Sequence, residues 1–386
     1  MRPYHERHDA LGELLLLAVR GGHDASDLER LRSLHGALDD EDIFEAARLN
    51  KVTHAVGDGL ERALGASLSD RWAEALAHNG ARVEALLDVV ESLTSGLAEL
   101  GIPSAAVESA GVMLGSDLST RALGSGDLDL LLPESGWERA LELAADLGLE
   151  RGDREGQVTT RRAKLRSSDA QGRELWIEAC AHPFERTWVP LRVNDRAALW
   201  LERAVPSRKR PSIFVLEPHD ALAFVALHTS LHSFVRSPGL RLHMDVDRIA
   251  RDNPLDWRRA VEEIQLLETS TRSFVSLMMA RGVLQTPIPD SALEVLAPPT
   301  ARWEKLRELL ESEGVLVGSA PKLGRAQTLR LDLLLEDGGL PSWLANIALP
   351  ERAWLERHYA PGEAQIGWAR LHGRRLVRLA TRWRPQ

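Results

Sequence analysis

With 386 residues, 44% of them hydrophobic and 27% charged, the chain has a globular composition and room for two or three domains of about 100–200 residues each. A net charge of −9 argues against a general nucleic-acid binder, which carries a basic balance; the single cysteine, Cys180, excludes an internal disulfide framework and Cys-rich zinc sites. The apolar run Leu14 to Val19 is too short for a signal-peptide core and follows Asp9 and Glu13. No run approaches the ~18 apolar residues of a membrane span, so a cytoplasmic protein without a membrane segment is expected.

Residues 1–100 are rich in Ala, Leu and Glu at helical spacing and predict an N-terminal helical region. Val83, Leu86, Leu87, Val90, Leu93 and Leu97 form one apolar stripe, and Gly101-Ile102-Pro103 ends that helix. Residues 101–205 change texture and predict a small mixed α/β core. In order they offer a short strand at Ser104 to Val107, a short helix at Ala110 to Asp117 and a strand at Asp127 to Leu132. An amphipathic helix follows at Trp137 to Leu147, then strands at Gln157 to Leu165 and Arg173 to Cys180 around the polar turn Ser167 to Gly172. Pro206 to Pro211 reads as a basic linker. Residues 206–386 predict a C-terminal helical domain, with a helix at Ala221 to Phe234 preceded by Pro218 and turns at Pro287 to Pro289, Pro298-Pro299 and Pro361-Gly362. The last helix carries Arg370, Arg374, Arg375, Arg378, Arg382 and Arg384 and no acid among them; it reads as a solvated or anion-binding face.

The chemistry concentrates in the strand Asp127-Leu128-Asp129-Leu130-Leu131-Leu132. Period two puts Leu128, Leu130 and Leu132 on a buried face and Asp127 with Asp129 on the other. Two carboxylates that close repel unless a cation lies between them, and a hard divalent ion such as Mg²⁺ takes carboxylate oxygens. Glu174, Trp176 and Glu178 share one face of the later strand, so Glu178 is a candidate third acid. His228 and His232, four apart, share a helix face; the Glu that follows the first His in zinc-protease motifs is replaced by Thr229, so these histidines read as buried, hydrogen-bonded groups or phosphate contacts.

The order Gly101-Ile102-Pro103, Arg121, Asp127-Leu128-Asp129-Leu130-Leu131, Glu178, His228 with His232, and Leu240-Arg241 with Asp245 resembles the uncharacterised bacterial nucleotidyltransferase family of the DNA polymerase β superfamily. The resemblance runs from about residue 80 to 285. It implies an α+β fold: a small mixed-sheet polymerase β-like core flanked by helical regions. It implies transfer of NMP from an NTP to a hydroxyl of an unidentified acceptor, with Mg²⁺ or Mn²⁺ held by Asp127, Asp129 and Glu178 as metal ligands and catalytic acids. It also implies phosphate contacts from a Gly/Ser turn, with Arg121 offsetting charge. Where that family has Lys-Gly this chain has Glu108-Ser109, while Leu114-Gly115-Ser116 fits the superfamily's wider turn pattern and Gly124-Ser125-Gly126 adjoins the acids. Ser109, Gly115 with Ser116, and Ser125 therefore stand as alternative phosphate turns, with His228 and His232 as further contacts. The Glu108-Ser109 departure leaves a catalytically degenerate binding or regulatory protein, or a phosphotransferase using the same site, as alternative readings.

Overall fold

The protein is described from a computed structural model, which covers the chain except residues 1–2, 5–7, 66–67, 125, 153–160, 186–190, 235–238, 313, 317–324, 361–365 and 383–386. Seven strands form one mixed sheet among the described residues: β1 (Ala105–Val107), β2 (Asp127–Leu131), β3 (Glu150–Arg151), β4 (Arg162–Ser168), β5 (Glu174–Cys180), β6 (Val205–Pro206) and β7 (Phe214–Val215). Their order is β3-β4-β5-β2-β1-β7-β6. β2 runs parallel to β5 and antiparallel to β1, and β4 is antiparallel to β5. Helices precede and follow this α+β unit.

Period two decides which side of the sheet is dry. Leu128 and Leu130 on β2, Ala163 and Leu165 on β4, and Leu175, Ile177 and Ala179 on β5 all point to one face. That face packs on the 30-residue Asp70–Glu99 helix, whose stripe Val83, Leu86, Leu87, Val90, Leu93 and Leu97 is buried as its spacing predicts. Each such side chain contributes about 1.5–3 kcal/mol of burial, an upper figure since the unfolded chain already hides some surface. Gly101 ends the helix at φ +70°, a conformation glycine adopts without Cβ strain. The opposite face carries the acids midway and Leu131 and Cys180 beyond them. These two join the larger core with Phe184, Trp200 and Phe224, in which Phe184 and Phe224 lie 4.8 Å apart.

The expected linker at 206–211 is instead the turn of a β6–β7 hairpin at the sheet edge; strands of two residues are too short to show a period. The helix expected over 221–234 runs from Pro218 to Leu231, and Ser233 and Phe234 then take φ values of +56° and +59°, which break it. No described helix is long and apolar enough to cross a membrane.

The short helix Glu108–Gly115 is pressed onto β1, and a Cβ at Gly111 would lie 2.4 Å from the Ala106 carbonyl oxygen. Gly111→Ala is therefore expected to destabilise by about 1–3 kcal/mol. In a helix with open space, as at Gly373, the same change adds stability by about 0.5–1 kcal/mol. Urea titrations of both variants check the opposite signs.

Candidate active site

The acids meet because β2 and β5 are parallel neighbours in a register that sets Asp129 beside Glu178 and Asp127 beside Trp176. Antiparallel β4 adds cations to the same face, with Lys164 opposite Glu178 and Arg162 opposite Cys180. On the other side Val107 pairs with Asp129, and the chain turns there into Glu108. Four carboxyl groups, Asp127 and Asp129 on β2, Glu178 on β5 and Glu108 at the start of the helix after β1, thus act on one another.

Their charges are unequally answered. Glu178 is buried and bonded by Arg162, which also donates to the Pro183 carbonyl at 3.2 Å. Lys164 Nζ lies 3.2 Å from Glu178 Oε2 and 4.0 Å from Asp127 Oδ2. Burial opposes the Lys164 charge, but Glu178 and then Asp127 outweigh it and push the amine's pKa up. Asp129 lacks such relief. Burial first, then repulsion from Asp127 and Glu178, pushes its carboxyl up to about 7, against the pull of Arg162 and a hydrogen bond with Glu108. Glu108 is driven well above the carboxylate range by burial and then by Asp129, so it holds its proton and is the donor in that bond. Its backbone is strained as well, at φ +55° without a glycine. Cys180, on the same face, has its thiol pushed up to about 12 by burial and stays neutral.

His228 packs over this group from the Pro218–Leu231 helix. Its Nδ1 lies 3.2 Å from Glu108 Oε1, but off line for a hydrogen bond. Its ring stacks on Phe224 at 6.3 Å and meets His232 at 4.8 Å. Burial, then His232 and Arg162, pulls its pKa well below 6.5, so it is neutral. Ser109, on the first turn after Glu108, donates to Asp245 Oδ2 at 2.7 Å inside the protein. Burial pushes Asp245 up to about 6 despite that bond.

Of the residues named from sequence, the fold therefore gathers Asp127, Asp129, Glu178, Ser109 and His228, with His232 one ring away. Gly115 and Ser116 lie at the other end of the Glu108–Gly115 helix, about 12 Å along it at 1.5 Å per residue. There the Ser116 hydroxyl donates to the Met113 carbonyl and accepts from the Leu118 amide, both at 3.3 Å. Arg121 engages Glu61 at 2.5 Å, on the Thr53–Leu64 helix. Ser125 lies outside the described residues. Arg162, Lys164 and the acid role of Glu108 were missed from sequence. The alternation Arg162-Ala163-Lys164-Leu165 was the available signal for the first two, since it sends both cations to the face of the acids.

Among the described residues, no three His, Cys, Asp or Glu side chains are gathered as a ready metal site, because Glu178 is turned into Arg162 and Lys164. The donor chemistry at Asp127 and Asp129 nevertheless suits Mg²⁺, which binds through one or two carboxylates and completes its shell with water and substrate phosphates. The repulsion that raises Asp129 is what such an ion would remove. Beyond the end of β5 a cavity of about 170 Å³ opens between His182, Glu185, Trp354 and Arg357. Arg162 links it to the acids through the Pro183 carbonyl.

Among solved structures, an antigenic nucleotidyltransferase-like protein from Paracoccidioides brasiliensis is similar at 16% identity and a TM-score of 0.35, over 56% of this chain and 96% of that one. A tRNA nucleotidyltransferase complexed with a primer tRNA and an incoming ATP analogue is similar at 14% identity and a TM-score of 0.20, over 75% and 91% of the two chains. At those scores neither likeness carries weight. No curated protein matches the chain. A family model described as uncharacterised nucleotidyltransferase matches residues 36–285, which span the sheet, the acids and the His228 helix. With more than half of its length matched, the chain belongs to the uncharacterised nucleotidyltransferase family.

Proposed function

We propose that the protein transfers NMP from an NTP to a hydroxyl of an acceptor, at the face shared by Asp127, Asp129 and Glu178. Family membership supports nucleotidyl transfer in general. The observation that carries the specific reading is the Asp129–Glu178 register, which sets an under-compensated carboxylate pair beside a third acid flanked by two cations. Asp127 and Asp129 would hold Mg²⁺ or Mn²⁺. When bound, the ion supplies charge neutralisation at the triphosphate and a lowered pKa for an attacking hydroxyl. Arg162 fixes Glu178 through Oε1. Lys164, half exposed on a flexible stem, would swing from Glu178 Oε2 toward phosphate. That movement leaves Oε2 to take the proton of the acceptor hydroxyl. Neutral His228 and protonated Glu108 close the inner side of the site and keep water from Asp129.

Incubation with Mg²⁺, NTP and a metabolite extract tests this reading. Label from the α-phosphate should enter a product as pyrophosphate is released. Transfer of γ-label instead would make the protein a phosphotransferase. Glu108 favours a second reading: a strained, protonated acid stands where the family carries lysine, as expected of a nucleotide-binding regulator that has lost transfer. Binding of NTP with neither label moved would establish that reading.

A further inference from the structure

We propose that Trp176, beside Asp127 on the acid-bearing face of the sheet, is the platform on which the nucleobase of the NTP stacks. The inference rests on the nucleotidyl-transfer reading and assigns the one part of that substrate, the base, for which the acids and cations offer no partner.

Alternation sends Glu174, Trp176 and Glu178 of β5 to the face that carries Asp127 and Asp129. The neighbours of Trp176 there are charged. The register sets Glu150, Arg166, Trp176 and Asp127 in one row across four strands, and Lys164, Glu178 and Asp129 in the next. Trp72, Trp137, Trp200, Trp303 and Trp354 fill cores, each 4% exposed or less, but Trp176 keeps part of its surface open. Among the described residues no aromatic ring packs on it and no guanidinium stands over it. An indole set among charges thus offers a π-face that no neighbour uses, and such a face is what a nucleobase stacks on.

The position of the ring is built into the sheet. A Cβ at Gly152 would lie 2.3 Å from Trp176 Cζ3 and 2.7 Å from Cη2, so the six-membered ring rests against a residue with no side chain. Gly152 in turn donates to the Lys164 carbonyl at 2.9 Å, on the side of β4 away from β5. The indole therefore leans along the sheet, across strands spaced ~4.8 Å apart, and does not stand away from it.

Distance favours the base over the other parts of the NTP. Lys164, placed to meet phosphate, and Trp176 belong to successive rows, two residues or about 7 Å apart along the strands. A ribose bridges such a gap between the α-phosphate and the base. Arg166, in the row of Trp176, is held by Glu150 and, at 3.1 Å, by Glu174. It steadies the edge of the platform and leaves the stacking face to the ligand.

Calorimetry with Mg²⁺ and two probes, ATP and inorganic tripolyphosphate, tests the assignment. Trp176→Ala should weaken ATP binding by about tenfold or more and leave tripolyphosphate binding unchanged. Trp176→Phe should keep most of the ATP affinity, because the aromatic face stays. Gly152→Ala, which forces the ring aside, should weaken ATP and spare tripolyphosphate. It also decides the matter if thermal melts show that Trp176→Ala has not folded. If α-label is transferred but ATP binding is indifferent to Trp176→Ala and Gly152→Ala, the inference falls and the transfer reading stands; equal loss of both probes has the same meaning. If ATP binding depends on Trp176 yet no nucleotide is transferred, the inference stands and that reading falls. A wild-type protein that binds neither probe overturns both.

Discussion

Asp127→Asn combined with Asp129→Asn is expected to abolish metal-dependent NTP binding and to reduce transfer by about 10³-fold or more, since the ion's contribution is several kcal/mol and each ~1.4 kcal/mol is tenfold. The same change should leave the ion-free protein at least as stable as the wild type at pH 8, which separates loss of chemistry from loss of fold. The reason lies in the proton on Asp129. Its carboxyl sits at about 7 in the folded protein against an ordinary 3.8, so the native state holds that proton more tightly than the unfolded chain does. The resulting stabilisation is complete below about pH 4 and is lost as the pH rises through about 7. At about 1.4 kcal/mol per unit, the loss amounts to roughly a few kcal/mol. Asparagine at 129 carries no such dependence. Melts of wild type and Asp129→Asn at pH 4 and pH 8, without divalent ions, should therefore diverge in the variant's favour at the higher pH. Mg²⁺ should restore the wild type alone. Parallel pH profiles would contradict this account of the site.

Arg162→Met should be the most destabilising single change near the site. Arg162 is the main cation among four carboxyl groups, and Glu178, its partner, is 8% exposed. Burial works against the arginine's charge, but the surrounding acids outweigh it and hold the guanidinium charged. Removing one partner of a fully buried pair costs about 3–5 kcal/mol; with Arg162 37% exposed and Lys164 still 3.2 Å from Glu178, the loss here should fall below that range. Arg162→Met with Glu178→Met should recover much of that loss, since two apolar side chains can fill the space without a charge to satisfy. Urea denaturation of the two single variants and the double variant measures the coupling. Additive losses would mean that the pair does not act as a unit. Activity should remain absent in the double variant, which separates the role of Glu178 in transfer from its part in stability.

The parts of this fold legible in the sequence are those governed by short periods. Alternation assigned Leu128 and Leu130 to one face and Asp127 and Asp129 to the other, and the 3.6-residue stripe from Val83 to Leu97 marked the helix that covers the apolar face. Placing Glu178 on the polar face of its strand needed only the same rule. Pairing it with Asp129, and not with a residue two places away, needed the register between strands nearly fifty residues apart, which no local pattern records. The Ser109–Asp245 bond spans 136 positions and was equally hidden. Glu108 was visible as a departure from the family pattern, but its protonation follows from burial beside Asp129, a property of the packed site. The β6–β7 hairpin was missed because Val205-Pro206 and Phe214-Val215 are each a single pleat long.

The most direct test of the central claim is a calorimetric titration of the wild-type protein and the Asp127→Asn/Asp129→Asn variant with ATP, with and without Mn²⁺. Binding that requires Mn²⁺ in the wild type and vanishes in the variant, while both proteins melt cooperatively, is the predicted result. ATP binding of equal strength in the two proteins, or in the wild type without any divalent ion, would contradict it.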